Sequence, residues 1–129
     1  MKIQYCSDLH LEFPKNKEYI RINPIRPEGD ILILAGDIVP FAVMDKYEDF
    51  FNYLSDNFQM TYWIPGNHEY YHFDAINKSG TFSENIRSNV VLLNNTAVKL
   101  QDTKFIFSTL WFNRYKVLSA TGFNSSKFK

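Results

Sequence analysis

Trp63-Ile64-Pro65-Gly66-Asn67-His68-Glu69 is the stretch on which the reading of this chain turns. An apolar run, Tyr62 to Ile64, stops at Pro-Gly, and three side chains capable of metal or proton chemistry follow at once. Gly66 permits a tight backbone turn that a residue with a Cβ would resist. Asn67 offers a neutral oxygen ligand, and His68 an imidazole that can carry a proton near neutral pH. Taken alone, the stretch also reads as a strand ending in an ordinary turn, since Asn and Gly are common turn residues. What separates the two readings is that the same arrangement occurs twice upstream.

Ile3 to Cys6 is a short apolar-rich run, read as a buried strand, and Ser7-Asp8-Leu9-His10 follows it directly. Asp and His two residues apart point the same way on extended backbone, so one ion could meet both. Asp30 to Ala35 is apolar without alternation, as expected of a parallel strand covered on both faces, and it ends in Gly36-Asp37. By itself Asp37 is equally a turn former or helix cap. Between these runs, Leu11 to Gly29 carries three prolines and reads as a long loop with at most one helical turn near Glu18 to Arg21.

Met44, Tyr47, Phe51, Leu54 and Phe58 recur at steps of three and four, which predicts a helix with one face in the core. Met60 to Ile64 is then a strand. Phe82 to Arg87 reads as a short helix and Val90 to Leu93 as a fourth strand. Ala97 to Leu100 and Lys104 to Phe107 read as a hairpin around Gln101-Asp102. Residues 113–129 show neither periodicity nor a core face.

The 129 residues suit one domain, and 45% hydrophobic residues suffice for a real core. Twelve Phe and eight Tyr imply bulky packing layers or a surface meant to be covered. A net charge of zero gives no basic excess to favour nucleic acid or an anionic membrane. The single Cys6 excludes an intrachain disulfide and reads as a small core residue. No signal-peptide pattern and no membrane-length apolar run stand in the chain, so the expectation is a soluble cytoplasmic protein.

Strands alternating with a crossover helix imply an α/β fold with a parallel sheet, whose ligands sit beyond the carboxyl ends of the strands. All three polar clusters follow a strand directly: Asp8 and His10, then Asp37, then Asn67 and His68. On parallel neighbouring strands they converge at one edge. Carboxylate, imidazole and amide oxygen together suit Mn²⁺, Fe or Zn²⁺ better than Ca²⁺. A carboxylate bridging two ions would account for an Asp standing alone on its loop.

With Asp8-Leu9-His10, Gly36-Asp37 and Gly66-Asn67-His68-Glu69 in that order and strand context, the sequence resembles the calcineurin-like metallophosphoesterases. The resemblance implies an α/β sandwich with a two-metal centre that hydrolyses phosphate mono- or diesters. It implies that Asp8 and His10 bind one metal, Asn67 binds the other, and Asp37 bridges them. His68 would protonate the leaving group or stabilise developing charge. The nucleophile would be hydroxide from a metal-bound water of lowered pKa.

Two departures stand out. Many such proteins carry an Asp three residues after the bridging Asp, which orients the catalytic His; here that place is Pro40, so His68 needs another orienting partner. The family also draws His ligands from its second half, whereas this chain has only His10, His68 and His72. The expectation is therefore residues 1–112 as the N-terminal part of the domain, truncated before the later His motifs, with 113–129 an unmatched tail. The sandwich would be incomplete, its exposed apolar face prone to self-association. The enzyme would be weakly active or inactive toward small phosphoester substrates. A non-catalytic scaffold or binding protein on the same fold is the alternative. His72 reads as a solvated loop residue, and Glu12 and Glu69 as loop supports. Tyr70, Tyr71 and Trp111 are candidates for a pocket or for core and rim packing.

Overall fold

The structure, a computed structural model, describes residues 1–110. In chain order these form β1 (Ile3–Cys6), α1 (Pro14–Ile22), β2 (Ile31–Ala35), α2 (Glu48–Asn57), β3 (Met60–Ile64), β4 (Phe82–Arg87), β5 (Val90–Asn94), β6 (Thr96–Leu100) and β7 (Thr103–Phe107). Five strands make one sheet in the order β1-β2-β3-β5-β4, and β6 and β7 pair apart as a hairpin. β1, β2, β3 and β5 are parallel, while β4 runs antiparallel to β5 at the edge. Apolar strands joined by a crossover helix can be buried on both faces only in this layered way.

Side chains alternate across the sheet, and each face has its own core. Leu32, Leu34, Trp63, Val90 and Leu92 pack with Phe51, Leu54 and Phe58 of the α2 segment. Ile31, Tyr62 and Leu93 point the other way, where Phe107 of the hairpin covers them. The Tyr62 and Phe107 rings stack at 5.0 Å between centroids. Fully burying a side chain such as Leu34 or Leu92 contributes roughly 1.5–3 kcal/mol, so these two layers dominate the stability. The mixed α/β architecture with parallel strands, crossover helix and C-terminal hairpin is as the sequence implies.

Register positions the site. Ala35 pairs with Ile64, so the loops after β2 and β3 leave the sheet at the same height. Cys6 pairs with Leu34, which brings the loop after β1 to the same edge.

Three expectations need correction. Pro14 to Ile22 is a helix where a loop was expected: Pro14 stands in its first turn, where its missing N–H costs nothing, so it begins the helix. No residue of this helix is fully buried, so no apolar stripe announces it. Phe82 to Arg87 is a strand, not a helix. Pairing with β5 and packing of Phe82 and Ile86 on the α2 side override its polar middle. The segment from Met44 is also not one α-helix: residues Phe41–Tyr47 are 3-10 turns, and α2 begins at Glu48, where Glu48 and Asp49 complement the helix dipole. The expectations for Trp111 and for residues 113–129 lie outside the described residues.

Candidate metal centre

The loops after β1 and β2 are laced together by backbone. Asp8 N–H donates to Gly36 O (3.0 Å), His10 N–H to Asp37 O (3.0 Å) and Leu11 N–H to Ile38 O (2.9 Å). Within this lacing Asp8 (φ 58°), His10 (φ 46°) and Asp37 (φ 55°) all adopt left-handed backbone. Such conformations cost about 1–3 kcal/mol each in a non-glycine residue and gather at functional sites. Here they turn three potential ligands toward one another. Gly36 (φ 89°) is also left-handed, and a β-carbon on it would lie 3.1 Å from Gly66 Cα. Gly66 is not left-handed; it serves close approach rather than the tight turn expected of it, because the Asp37 carboxylate fills the space beside it.

Glu69 ties these loops to the core. It is completely buried. Its Oε2 accepts from Asp37 N–H (2.9 Å) and Gly66 N–H (2.8 Å), and its Oε1 from Ile38 N–H (2.8 Å) and the Trp63 indole (3.0 Å). Burial raises its pKa, while the hydrogen bonds from Ile38, Trp63 and Gly66 oppose that rise. Its role as a loop support, rather than a ligand, matches the donors it meets.

The sequence-predicted residues do converge. Ligand atoms of Asp8, His10 and Asp37 lie within 4.8 Å of one another. His10 Nε2 is 3.7 Å from Asp8 Oδ1, and Ser7 donates its hydroxyl proton to Asp8 Oδ2. His68 N–H donates to Asp37 Oδ1 at 2.9 Å. Asn67 stands against the same carboxylate: with its amide nitrogen inward it donates to Asp37 Oδ1 (3.2 Å) and Oδ2 (3.3 Å), and its oxygen accepts from Tyr71 OH (3.0 Å). Turned by half a rotation, the amide oxygen faces two carboxylate oxygens, an arrangement that a cation between them would satisfy. Two carboxylates, an imidazole and an amide oxygen around one space fit one or two divalent cations.

Glu12 is the residue whose place here the sequence did not foretell. Its Oε1 lies 3.0 Å from His68 Nδ1 and 3.5 Å from His10 Nδ1. It thus supplies a carboxylate to His68 where Pro40 has none to offer. The signal was present in the spacing Asp8-x-His10-x-Glu12, which sets three groups two residues apart. The His10 and His68 rings meet edge to face at 4.3 Å, and Tyr71 packs on His68 at 4.4 Å. Tyr71 also lines an open cleft of about 610 Å³ with Ile64, Gly66, Asn67, Thr109 and Leu110. Tyr70 instead donates its hydroxyl proton to Lys78 O (2.7 Å) and packs on Phe41, so it belongs to the core rim. His72 is exposed and is not among the potential ligands that cluster here.

The chain matches the calcineurin-like phosphoesterase family over residues 1–124. It is 35% identical over 126 residues to the uncharacterized protein L509 of Acanthamoeba polyphaga mimivirus, covering 86% of this chain and 44% of that protein. It is 39% identical over 49 residues to a 3',5'-cyclic-nucleotide phosphodiesterase of Nostoc sp. (strain PCC 7120), covering 38% of this chain and 18% of that one. The chain therefore spans less than half the length of either relative. No solved structure matches it. Three loops of this kind on a parallel sheet, and a family match over nearly the whole chain, have one reading: the chain belongs to the calcineurin-like phosphoesterase family.

Proposed function

We propose that the chain carries out metal-dependent hydrolysis of phosphate mono- or diesters. Asp8 and His10 would hold one divalent ion and Asn67 the other, with Asp37 available to both. The observation that carries this reading is the convergence of Asp8, His10 and Asp37 within 4.8 Å on left-handed backbone. A bound Mn²⁺, Fe or Zn²⁺ supplies Lewis acidity toward phosphoryl oxygens and lowers the pKa of a coordinated water.

The chain's own residues do the rest. Asp37 is held by His68 N–H, so its carboxylate is aimed before any ion arrives. His68 faces Glu12 through Nδ1, which leaves Nε2 free to take up a second proton and, from that doubly protonated ring, pass it to the departing oxygen. The Tyr71 ring beside His68 offers an apolar wall for an organic group on the substrate. The name of the Nostoc relative supports a nucleotide phosphodiester as one substrate class.

The two ion sites are unequal, since one has three protein ligands and the other only Asp37 and Asn67. We expect about one weakly held ion per chain and low turnover by the chain alone. The lone, partly buried Cys6 supports a reducing, cytoplasmic setting. No helix among the described residues is long and apolar enough to cross a membrane. Tyr5, 78% exposed on the sheet, supports self-association through that face; a monodisperse monomer that binds no hydrophobic dye would oppose it.

Calorimetric titration with Mn²⁺ and Zn²⁺, followed by assays on aryl phosphate mono- and diesters, tests the reading. Binding and any turnover should both vanish in Asp37→Ala. Binding that survives Asp37→Ala, or no binding of either ion, would refute the assignment.

A further inference from the structure

We propose that Glu12 is a positioning residue that places the ring proton of both His10 and His68 on Nδ1, and so aims the Nε2 atom of each at the metal centre. The proposal deepens the hydrolase reading and rests on it only for its effect on turnover.

One oxygen of Glu12 faces both rings, 3.0 Å from His68 Nδ1 and 3.5 Å from His10 Nδ1. An ionised carboxylate can only accept hydrogen bonds, so whichever ring nitrogen faces it must carry the proton. Among the described residues no Lys or Arg forms an ion pair with Glu12; the groups that face its carboxylate are the two imidazoles. Its side chain is only 18% exposed, so water is a poor substitute for them. His10 Nδ1 and Glu12 Oε2 are moreover buried without a hydrogen-bond partner. A buried polar atom left unpaired costs about 1–3 kcal/mol, so a slight closing of the 3.5 Å gap, with the ring proton on Nδ1, would be favoured.

For His10 the other nitrogen faces the candidate ligands. His10 Nε2 lies toward Asp8 Oδ1. An imidazole that donates through one nitrogen presents the lone pair of the other, which is the state a metal ligand needs. The same carboxylate therefore orients a ligand and a proton carrier together. Neighbouring side chains hold the Glu12 loop in place. Asn16 Nδ2 donates to Leu9 O and His10 O (both 3.2 Å), and Tyr47 OH donates to Leu11 O (2.9 Å).

Three histidines make this directly observable by long-range ¹H–¹⁵N NMR of the whole metal-free chain, at a pH about two units above the ordinary imidazole pKa. His10 and His68 should show protonated Nδ1 and bare Nε2, whereas exposed His72 should show the mixture of free imidazole. Glu12→Gln retains an acceptor of equal length and should preserve the pattern; Glu12→Leu should lose it at both rings. Protonated Nε2 on His68 in the wild-type chain would overturn the proposal, even if Glu12→Leu failed to fold. So would an unchanged pattern in folded Glu12→Leu. With metal and an aryl phosphate ester, Glu12→Leu should lower kcat at least about tenfold with little change in KM, and Glu12→Gln should recover part of it. If the wild-type chain hydrolyses nothing, the hydrolase reading fails while the tautomers still decide the role of Glu12.

Discussion

The carboxylate of Asp37 occupies the space that a β-carbon on Gly66 would need: Asp37 Cγ and Asp37 N both lie 2.9 Å from that position. The glycine after Pro65 thus makes room for a proposed ligand on a different strand's loop. Gly66→Ala should force Asp37 aside, because its backbone N–H is anchored to Glu69 and cannot retreat. We expect a loss of about 1–3 kcal/mol in stability, as for other overpacked sites, and a drop in metal affinity of at least about tenfold. Thermal denaturation and calorimetric titration of the same variant measure the two losses; unchanged affinity would show that the fit between these residues is incidental.

Glu69 should be the most sensitive residue of its loop for stability. Glu69→Ala leaves four buried or partly buried donors without an acceptor, on Asp37, Ile38, Gly66 and Trp63. An unpaired buried group costs about 1–3 kcal/mol, and even strong non-additivity leaves a loss above about 3 kcal/mol. Glu69→Gln keeps one acceptor oxygen but turns an NH₂ group toward two donors, so it should be nearly as harmful. Urea denaturation checks both; a loss below about 1 kcal/mol for Glu69→Ala would mean that water replaces the carboxylate.

Much of this was legible beforehand, and for a physical reason. Strands buried on both faces, such as Ile31 to Ala35, need an unbroken apolar run, and a chain that leaves such a strand with Gly-Asp or Gly-Asn-His marks the edge where ligands gather. Elements held by a neighbour rather than by their own pattern were not legible. β4 is a strand because β5 offers it an edge, not because Ser83-Glu84-Asn85 favours one. α1 lies on the surface and shows no stripe. The part played by Glu12 was hidden because His68, the ring it meets, is 56 residues away in sequence.

Metal uptake should turn the Asn67 side chain. Without an ion, hydrogen bonding favours the amide nitrogen toward Asp37, and with one its oxygen should face that way, while Tyr71 OH can partner either orientation at 3.0 Å. The side-chain NH₂ resonances of Asn67 should shift on adding Zn²⁺ and return on chelation. Those of Asn57, whose nitrogen donates to Tyr53 O on the far helix, should stay fixed. Resonances of Asn67 that ignore the ion would remove it from the ligand set.

Cys6 gives a pH signature. Burial at the end of β1 pushes its thiol from 9.0 up to about 11. The folded chain therefore keeps the proton that the unfolded chain releases above about pH 9. This contribution to stability is fully present below that pH and is lost as pH rises toward 11. Denaturation midpoints should fall across that window in the wild type and fall less in Cys6→Ala. Alkylation of Cys6 at about pH 8 should be slow until denaturant is added.

The four acceptor contacts of Glu69 also impose an order of events. Two of them reach 31 and 32 residues back along the chain, and the donors they reach do not meet until β2 and β3 have paired. Bringing such distant segments together must precede any reward from their contact. The left-handed turns at Asp8, His10 and Asp37 hang from that same junction, so a half-folded chain has the strands without the turns. On the proposed reading, affinity for a divalent ion would then be a late arrival in the life of each molecule, a quality stamp that only a finished chain could carry.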